Sequence, residues 1–417
     1  MTTRTLRLPA LTASFVGAIV AAACSGGRDS GFTEGRKEGV TDNSGTFGNG
    51  GTVGETAARP CVPNPANYDV PGNDCDDDGD GKVDNPPTCD ADLSPNGDAA
   101  DFAKSIGICT RASDKGHGLV SARFTRGYER SEEPREEQHG ILPRFGNVIK
   151  PREGGALGVL STGYAREYNG DGEEPFGGVT VGGGSRPTAT FHGKDWYGYG
   201  PAGTGRPGSG SAPPGFPKPA AGCTQDDTVN DVVSIKLELK APQNVSGVKF
   251  DFNFYSGEWP AYICSPFNDG FIAYLSAKGF NQGQPDNMSF DKDNNPVSVN
   301  NGFFDRCTPN VQTGCSTESE KQGSSACPGG VAELAGTGFG IDGAWCSPFP
   351  GGSKAKSTNG GATGWLTSQA PVQAGETFTI ELMIWDTGDA LLDSSVLIDN
   401  FSWIEGAVSA STDRPPK

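Results

Sequence analysis

Residues 248–256 read VKFDFNFYS, with Val248, Phe250, Phe252 and Phe254 alternating with Lys249, Asp251, Asn253 and Tyr255. A helix cannot keep a period-two pattern on one face, so this stretch has to be a strand with one apolar side. The alternation recurs in VVSIKLELKAP at 232–242, where Val233, Ile235, Leu237 and Leu239 share a face. GFIAYLSA (270–277), TFTIELMIWD (377–386) and VLIDNFSWIE (396–405) are similar runs bounded by Gly, Asp or Pro. Short half-buried strands separated by turn signals predict an all-β fold, a β-sandwich or jelly-roll-like domain. Only GDAADFAKSIGIC (97–109) reads as helix, with Ala100, Ala103 and Ile106 on one stripe and an acidic first turn. It is expected to pack against the sandwich edge.

The chain has 417 residues, and its 63 glycines and 31 prolines bar much of it from helix or strand interiors. Residues 24–60 hold few apolar side chains and many Gly, Ser and Thr, too little to offset chain entropy by burial, and read as a flexible tether. A Gly/Pro-rich stretch at about 169–222 reads as a long surface loop. The expected organisation is a signal segment at 1–23, the tether, an acidic motif at 61–97, the sandwich at 98–405 and a tail at 406–417. GFGIDG at 338–343 fits the G-x-G-x-x-G pattern, but no βαβ unit surrounds it and it reads as a loop. The net charge of −18 argues against nucleic acid or an anionic membrane surface as the partner, since both are held by clustered Lys and Arg.

The N-terminus begins with Arg4 and Arg7, continues as an apolar run to Ala23 and ends in AAAC at Cys24. That is the build of a bacterial export signal, too short and too interrupted for a membrane span. A cysteine directly after small residues resembles the lipobox of bacterial lipoproteins, which makes Cys24 the lipidated first residue and the only membrane attachment. An ordinary secretory signal with an incidental cysteine is the alternative. Of 11 cysteines, setting Cys24 aside leaves an even set: Cys61, Cys75, Cys89, Cys109, Cys223, Cys264, Cys307, Cys315, Cys327 and Cys346. An even set in an exported chain reads as disulfides, with connectivity left open. With no C-x-x-C pair and three histidines (His117, His139, His192), a structural zinc site is disfavoured.

NDCDDDGDGKVDN at 73–85 places six aspartates together. Asp76, Asp78 and Asp80 followed by Gly81 match the first positions of an EF-hand loop, with the Lys82 carbonyl and Asp84 next in order, and Asp74 adds charge beside them. Position twelve falls on Pro87 where an EF-hand needs a bidentate Glu, so this is no regular EF-hand. The expected ligand is Ca²⁺; a solvated acidic linker is the competing reading. A second set, Glu258 and Asp269 with Asp386 and Asp389, sits with Asn268, Asp393 and Asp399 near strand ends. Loops converging at one end of the sandwich would bring these oxygens to a second Ca²⁺, whereas side-chain turns at strand ends would explain them without one.

Catalysis finds little support. There is no G-x-S-x-G elbow and no HExxH motif, and three histidines leave little scope for a Ser-His-Asp arrangement. Glu258 and Asp269 are the one acid pair on which glycoside hydrolysis would rest. Trp259, Trp345, Trp365 and Trp385 read either as sugar-stacking platforms or as core, with core favoured for Trp385.

The segments DFNFYSGEWPAYICSPFNDGFIAYL, PVSVNNGFFDRC and GGATGWLTSQAPVQAGETFTIELMIWDTGDALLDSSVLIDNFSW, with GILPRFGNVIKPREGGALGVLSTGYAR upstream, resemble the choice-of-anchor L domain over roughly residues 98–405. That domain occurs in bacterial surface proteins and is abundant in myxobacteria-like lineages. GNDCDDDGDGKVDNPPTCD is similar to the short MopE-type metal-binding motif that often precedes it. The resemblance implies a surface protein held by an anchoring device and brings no defined activity. The expected function is therefore an exported protein, lipid-anchored to the outer membrane or cell surface, that binds an extracellular glycan or surface protein without catalysis. An enzyme acting on extracellular polysaccharide and a purely structural surface protein are the alternatives.

Overall fold

In the computed structural model the chain divides into two units, Met1–Ala57 and Ala58–Lys417. The structure describes residues 74–76, 81–83, 89–146, 148–165, 210–220, 222–259, 262–300, 303, 337, 339, 341–343, 357–359, 361–389 and 393–415, all in the second unit. The signal segment, Cys24, the tether, Cys61, Asp78, Asp80, Asp84, His192, Cys307, Cys315, Cys327, Trp345 and Cys346 lie outside the described residues. Among the described residues no helix is long and apolar enough to cross a membrane.

The alternating segments build two antiparallel sheets. The first holds β1 (Gly118–Thr125), β4 (Val229–Lys240), β13 (Thr377–Thr387), β6 (Gly270–Ser276) and β7 (Asp286–Asn287) in that order, with β8 (Val297–Ser298) also on β6. The second runs β15 (Ser411–Asp413), β12 (Leu366–Pro371), β5 (Gly247–Ser256), β14 (Ser394–Ile404), β3 (Leu157–Ser161) and β2 (His139–Leu142), with β11 (Gly361–Ala362) also on β5. Consecutive long strands fall in opposite sheets: β4 to β5, β5 to β6, β12 to β13 and β13 to β14 all cross over. The fold is a β-sandwich, as the pattern predicts.

The inward faces are the predicted ones. Val233, Ile235, Leu237 and Leu239 of β4 and Phe378, Ile380, Leu382 and Ile384 of β13 meet Val248, Phe250, Phe252 and Phe254 of β5 in one apolar layer. Phe252 and Phe271 touch across the two sheets with ring centroids 4.9 Å apart, and Phe378 meets Trp403 edge-on at 6.0 Å. Burying a phenylalanine or leucine side chain contributes about 1.5–3 kcal/mol, so this layer is the main driving force of the fold.

The outward faces depart from the half-buried expectation. Asp251, Asn253 and Tyr255, opposite the phenylalanines of β5, are also buried. On the second sheet, Leu142, Phe145, Ile149 and Phe339 form a satellite cluster over Tyr255 and Leu397. On the first, Tyr128, Ala212 and Phe216 pack over Ile272, Met383 and Trp385. The end of the Gly/Pro-rich stretch therefore covers a sheet rather than running free. It is held by a bridge between Gly127 and Ser211, and at Gly127 (φ +100°) a side chain would drive into the Ser211 carbonyl.

The predicted helix is α1 (Ala99–Ser105), followed by a single turn, α2 (Ala112–Lys115). Asp98 caps α1, its carboxylate accepting the N–H groups of Ala100 and Asp101 at 2.9 Å. Phe102, Ala103 and Ile106 enter the core, while Ala100 is only half-buried. The helix packs against β1 of one sheet and β2 and β3 of the other, closing the edge between them.

Two expectations are corrected. The sandwich does not stop at residue 405, because Ser411–Asp413 adds β15 beside β12. The last part of GFGIDG is not loop either: β9 (Ile341–Gly343) pairs with β10 (Ser357–Asn359), backbone pairing that the loop-like composition concealed.

Gly158 of β3 is the tightest seat of α1, since a Cβ there would lie 2.4 Å from the Phe102 ring and 2.9 Å from Ile106. Gly158→Ala should cost about 1–3 kcal/mol by overpacking. A urea midpoint equal to that of the wild type would show that the helix yields freely.

Candidate metal centre

Two acidic assemblies are present, at separate places in the second unit. In the sequence-predicted loop, the Asp76 carboxylate accepts the Gly81 N–H at 2.9 Å, and Gly81 sits at φ +90°, where a glycine turns most cheaply. Asp74 also has a positive φ, 56°, and is exposed. Cys75 is disulfide-bonded, and Cys89 pairs with Cys109, tying the end of the motif to the segment after α1. Just beyond, Asp90 is buried and accepts the N–H groups of Gly155 and Ala156 at 2.6 and 2.8 Å.

The second assembly gathers where β5 and β13 end and β4, β6 and β14 begin. Glu258 follows β5, Asp269 precedes β6, Asp386 closes β13, and Asp393 precedes β14. All four are buried, and Asp389, between β13 and β14, is half-buried. Asp269 is the hub: Thr387 donates its N–H to Oδ1 at 3.1 Å and Ser394 its hydroxyl to Oδ2 at 2.6 Å. The Asp269 N–H in turn approaches Glu258 Oε2 at 3.4 Å. The Thr387 hydroxyl accepts from Trp385 Nε1 at 3.1 Å and donates to the Asn268 carbonyl at 2.9 Å. Trp385 is thus core with its polar atom satisfied, as expected of a buried indole. Trp259 is buried in the core and Trp365 half-buried against the satellite cluster.

Sequence reasoning brings Glu258, Asp269, Asp386 and Asp389 together and misses Asp231. That residue stands in a β-bulge, where the pairing of β4 with β13 jumps from Val233–Ile384 to Asn230–Asp386. It is buried with φ +45°. An aspartate inside the apolar run VNDVV was the only available signal, and bulges of this kind re-aim side chains. Asp399 belongs elsewhere: on β14 it accepts the backbone N–H groups of Arg152 and Glu153.

These carboxyls sit far from their ordinary range. Burial first, then the charges of Asp269 and Asp389, holds Glu258 well above it. Burial, then Asp269, Asp393 and Asp231, does the same to Asp386, whose nearest polar neighbours include Thr162 and Asp269 but give it no hydrogen bond of standard geometry. Burial lifts Asp269 to about 8 against the pull of Ser394 and Thr387. Several acids out of water require protons or a cation. Among the described residues no group of three or more His, Cys, Asp or Glu side chains is arranged so that it holds a metal ion as it stands. In the absence of an ion, shared protons are what this geometry calls for.

Residues 218–403 match the family model of the Choice-of-anchor L domain. This is a domain of surface-associated, extracellular proteins and not an enzyme family. The match begins after β1, β2 and β3, although β1 pairs with β4 and β3 with β14, so the sandwich is larger than the matched segment. Neither the curated proteins nor the solved structures contain a significant match.

Asp269 and Asp399 are both lifted to about 8, whereas an unfolded aspartate titrates near about 4. The native state therefore keeps protons that the unfolded chain gives up. Their stabilising contribution is complete below about pH 4 and is lost as pH rises toward 8. Without divalent cations, the melting temperature should be lower at about pH 8 than at about pH 5.5, with a shallower slope for Asp386→Asn. A melting temperature that climbs over this range would refute the assignment.

Proposed function

We propose that this protein is exported, anchored to the cell surface by lipid on Cys24, and binds an extracellular glycan or surface protein without catalysis. The observation that carries the reading is the Choice-of-anchor L match at 218–403. The N-terminal pattern of Arg4, Arg7, an apolar run and AAAC supplies the anchor. A polysaccharide hydrolase is less well supported, because the acid pair it would use, Glu258 and Asp269, is 1% and 0% exposed and presents nothing to a glycosidic oxygen.

Calcium stabilises this arrangement in our reading. Asp74, Asp76, Asp78, Asp80 and Asp84 would hold the ion at the N-terminal motif, supported by the Asp76–Gly81 turn, which gathers that end of the loop without spending a cation. Glu258, Asp269, Asp386 and Asp389 form the second acidic set, where an ion would do the work that protons otherwise do, with hydroxyl, carbonyl or water oxygens completing its shell.

Two measurements test the reading. Cys24→Ser should release the protein from the membrane fraction while leaving the sandwich folded, since one lipidated cysteine supplies the hydrophobic anchor; a variant that still sediments with membranes would sink the lipoprotein assignment. Calcium should raise the melting temperature at about pH 8 with an affinity of about 10⁻⁴–10⁻³ M, as in extracellular calcium modules. Asp76→Ala should remove the part due to the loop and Asp386→Asn the part due to the buried set. No shift at millimolar calcium would leave both assemblies without an ion.

A further inference from the structure

The segment that covers the first sheet leaves an aromatic corner at its border. Tyr274 of β6 and Tyr128, beyond β1, are half-buried against the cluster of Ile272, Met383 and Trp385, and Phe216 packs beside them. Tyr274 stands edge-on to Tyr128, with ring centroids 5.5 Å apart and planes at 81°, and to Phe216 at 6.5 Å and 85°. Rings at right angles turn their faces in different directions, so a cation within about 6 Å of one centroid can meet the face of another.

Carboxylates surround this corner. Glu129 follows Tyr128 directly, Glu381 stands opposite Tyr274 on β13, and Asp286 adjoins Asn287, which pairs with Tyr274 from β7. Burial first, then Glu129 and Glu381, lifts the Tyr128 phenol; burial, then Tyr128, Asp286, Glu381 and Glu129, lifts that of Tyr274. The charges that weigh most on both hydroxyls are therefore negative. Nearby cations have other partners: Lys236 lies 3.8 Å from Glu381, Arg130 lies 3.8 Å from Glu132, on which Arg126 also acts, and Lys218 donates to the Asn294 carbonyl at 2.6 Å. Glu129 and Asp286, both exposed, form no ion pair among the described residues. One row along the same sheet face, Ser276 of β6 stands opposite Thr379 of β13, both half-buried, and their hydroxyls make no hydrogen bond among the described residues.

Aromatic faces in a negative field select an organic cation, the combination that recognises ammonium groups. The adjoining hydroxyls narrow the choice. A sugar ring can lay its C–H face on a tyrosine and its hydroxyls on Ser276 and Thr379, whereas a lysine side chain would reach the rings and carboxylates and leave that row unused.

We infer that this corner binds a glycan bearing free amino groups, with the ammonium against Tyr128 and Tyr274 and beside Glu129 and Asp286, and the ring hydroxyls on Ser276 and Thr379. This rests on the binding role proposed above and names its ligand class.

The test is calorimetric titration of the whole protein at about pH 6, below the range in which amines lose their proton. The probes are a β-1,4-linked glucosamine dimer, its diacetylated counterpart, and cadaverine, a diamine with the same charge and no ring. The glucosamine dimer should bind, weakening with added salt, and the other two should bind at least about tenfold more weakly. Glu129→Gln should weaken the dimer about fivefold with an unchanged urea midpoint, the upper range for an exposed ion pair. Tyr274→Leu should weaken it by a similar factor through loss of the ring face. Asp413→Asn, on β15 of the opposite sheet, removes the same charge and should leave binding intact. No binding of the glucosamine dimer, equal affinity for the acetylated dimer or for cadaverine, or Glu129→Gln and Asp413→Asn variants that bind alike would each overturn the assignment. Adhesion of protein-coated beads to cell-surface polysaccharide separates the two readings. Adhesion undiminished by Glu129→Gln and Tyr274→Leu removes the corner and keeps the binding role, and wild-type beads that adhere to nothing remove the role itself.

Discussion

The fold depends on the apolar layer in which Phe250, Phe252 and Phe254 of β5 face the isoleucines and leucines of β4 and β13. Because the chain switches sheets at most of its long connections, neighbours in sequence become opposite walls of that layer rather than paired strands. Neither sheet can therefore assemble far ahead of the other. The helix α1 is part of the same constraint, since Phe102 and Ile106 fill the edge that two flat sheets would leave open.

What the apolar layer leaves over is sorted by position. Along the strands, outward polar side chains such as Asp251 and Asn253 are buried as well, Asn253 donating to the Tyr255 hydroxyl. At one end, where strands must stop, carboxylates accumulate without a basic residue to offset Glu258, Asp269 or Asp386 among the described residues. The bulge in β4 adds Asp231 to that end. The concentration of one sign at a buried turn region is costly by itself, and it makes the stability of the sandwich responsive to protons and cations in the surrounding medium.

The long strands were legible because a single physical signal, alternation against one core, dominates them: β4, β5, β6, β13 and β14 all carry it. β3 was not legible, because Leu157–Ser161 is buried on both sides and shows no alternation. Nor were β2 and β15, short edge pieces whose pairing is decided by partners far along the chain. The acidic end was half legible: the crowding of Glu258, Asp269, Asp386 and Asp389 at strand ends pointed to convergence, while Asp231 depended on a bulge that sequence does not announce. The polar row in which Lys249 of β5 stands opposite Gln369 of β12 and Gln369 opposite Ser411 of β15 was invisible, because the three come from distant segments and each looks like an ordinary surface residue. Disulfide connectivity was open for the same reason, and Cys89–Cys109 and Cys223–Cys264 emerge only from the fold.

The Cys89–Cys109 bond also has a mechanical meaning. Any pull on the chain before Cys89 passes through that bond directly to Cys109, so the segment between them, α1 included, lies off the line of force. The load then enters at the edge strand β1, whose pairing with β4 runs from Gly118–Lys240 to Thr125–Ser234. A helix that seals the sandwich edge is thereby shielded from tension for as long as the cysteines stay oxidised. In a reducing medium the same pull would pass through Asp90, bound to Gly155 and Ala156, and Pro95, bound to Ile141 of β2, and then through α1 before it reached β1.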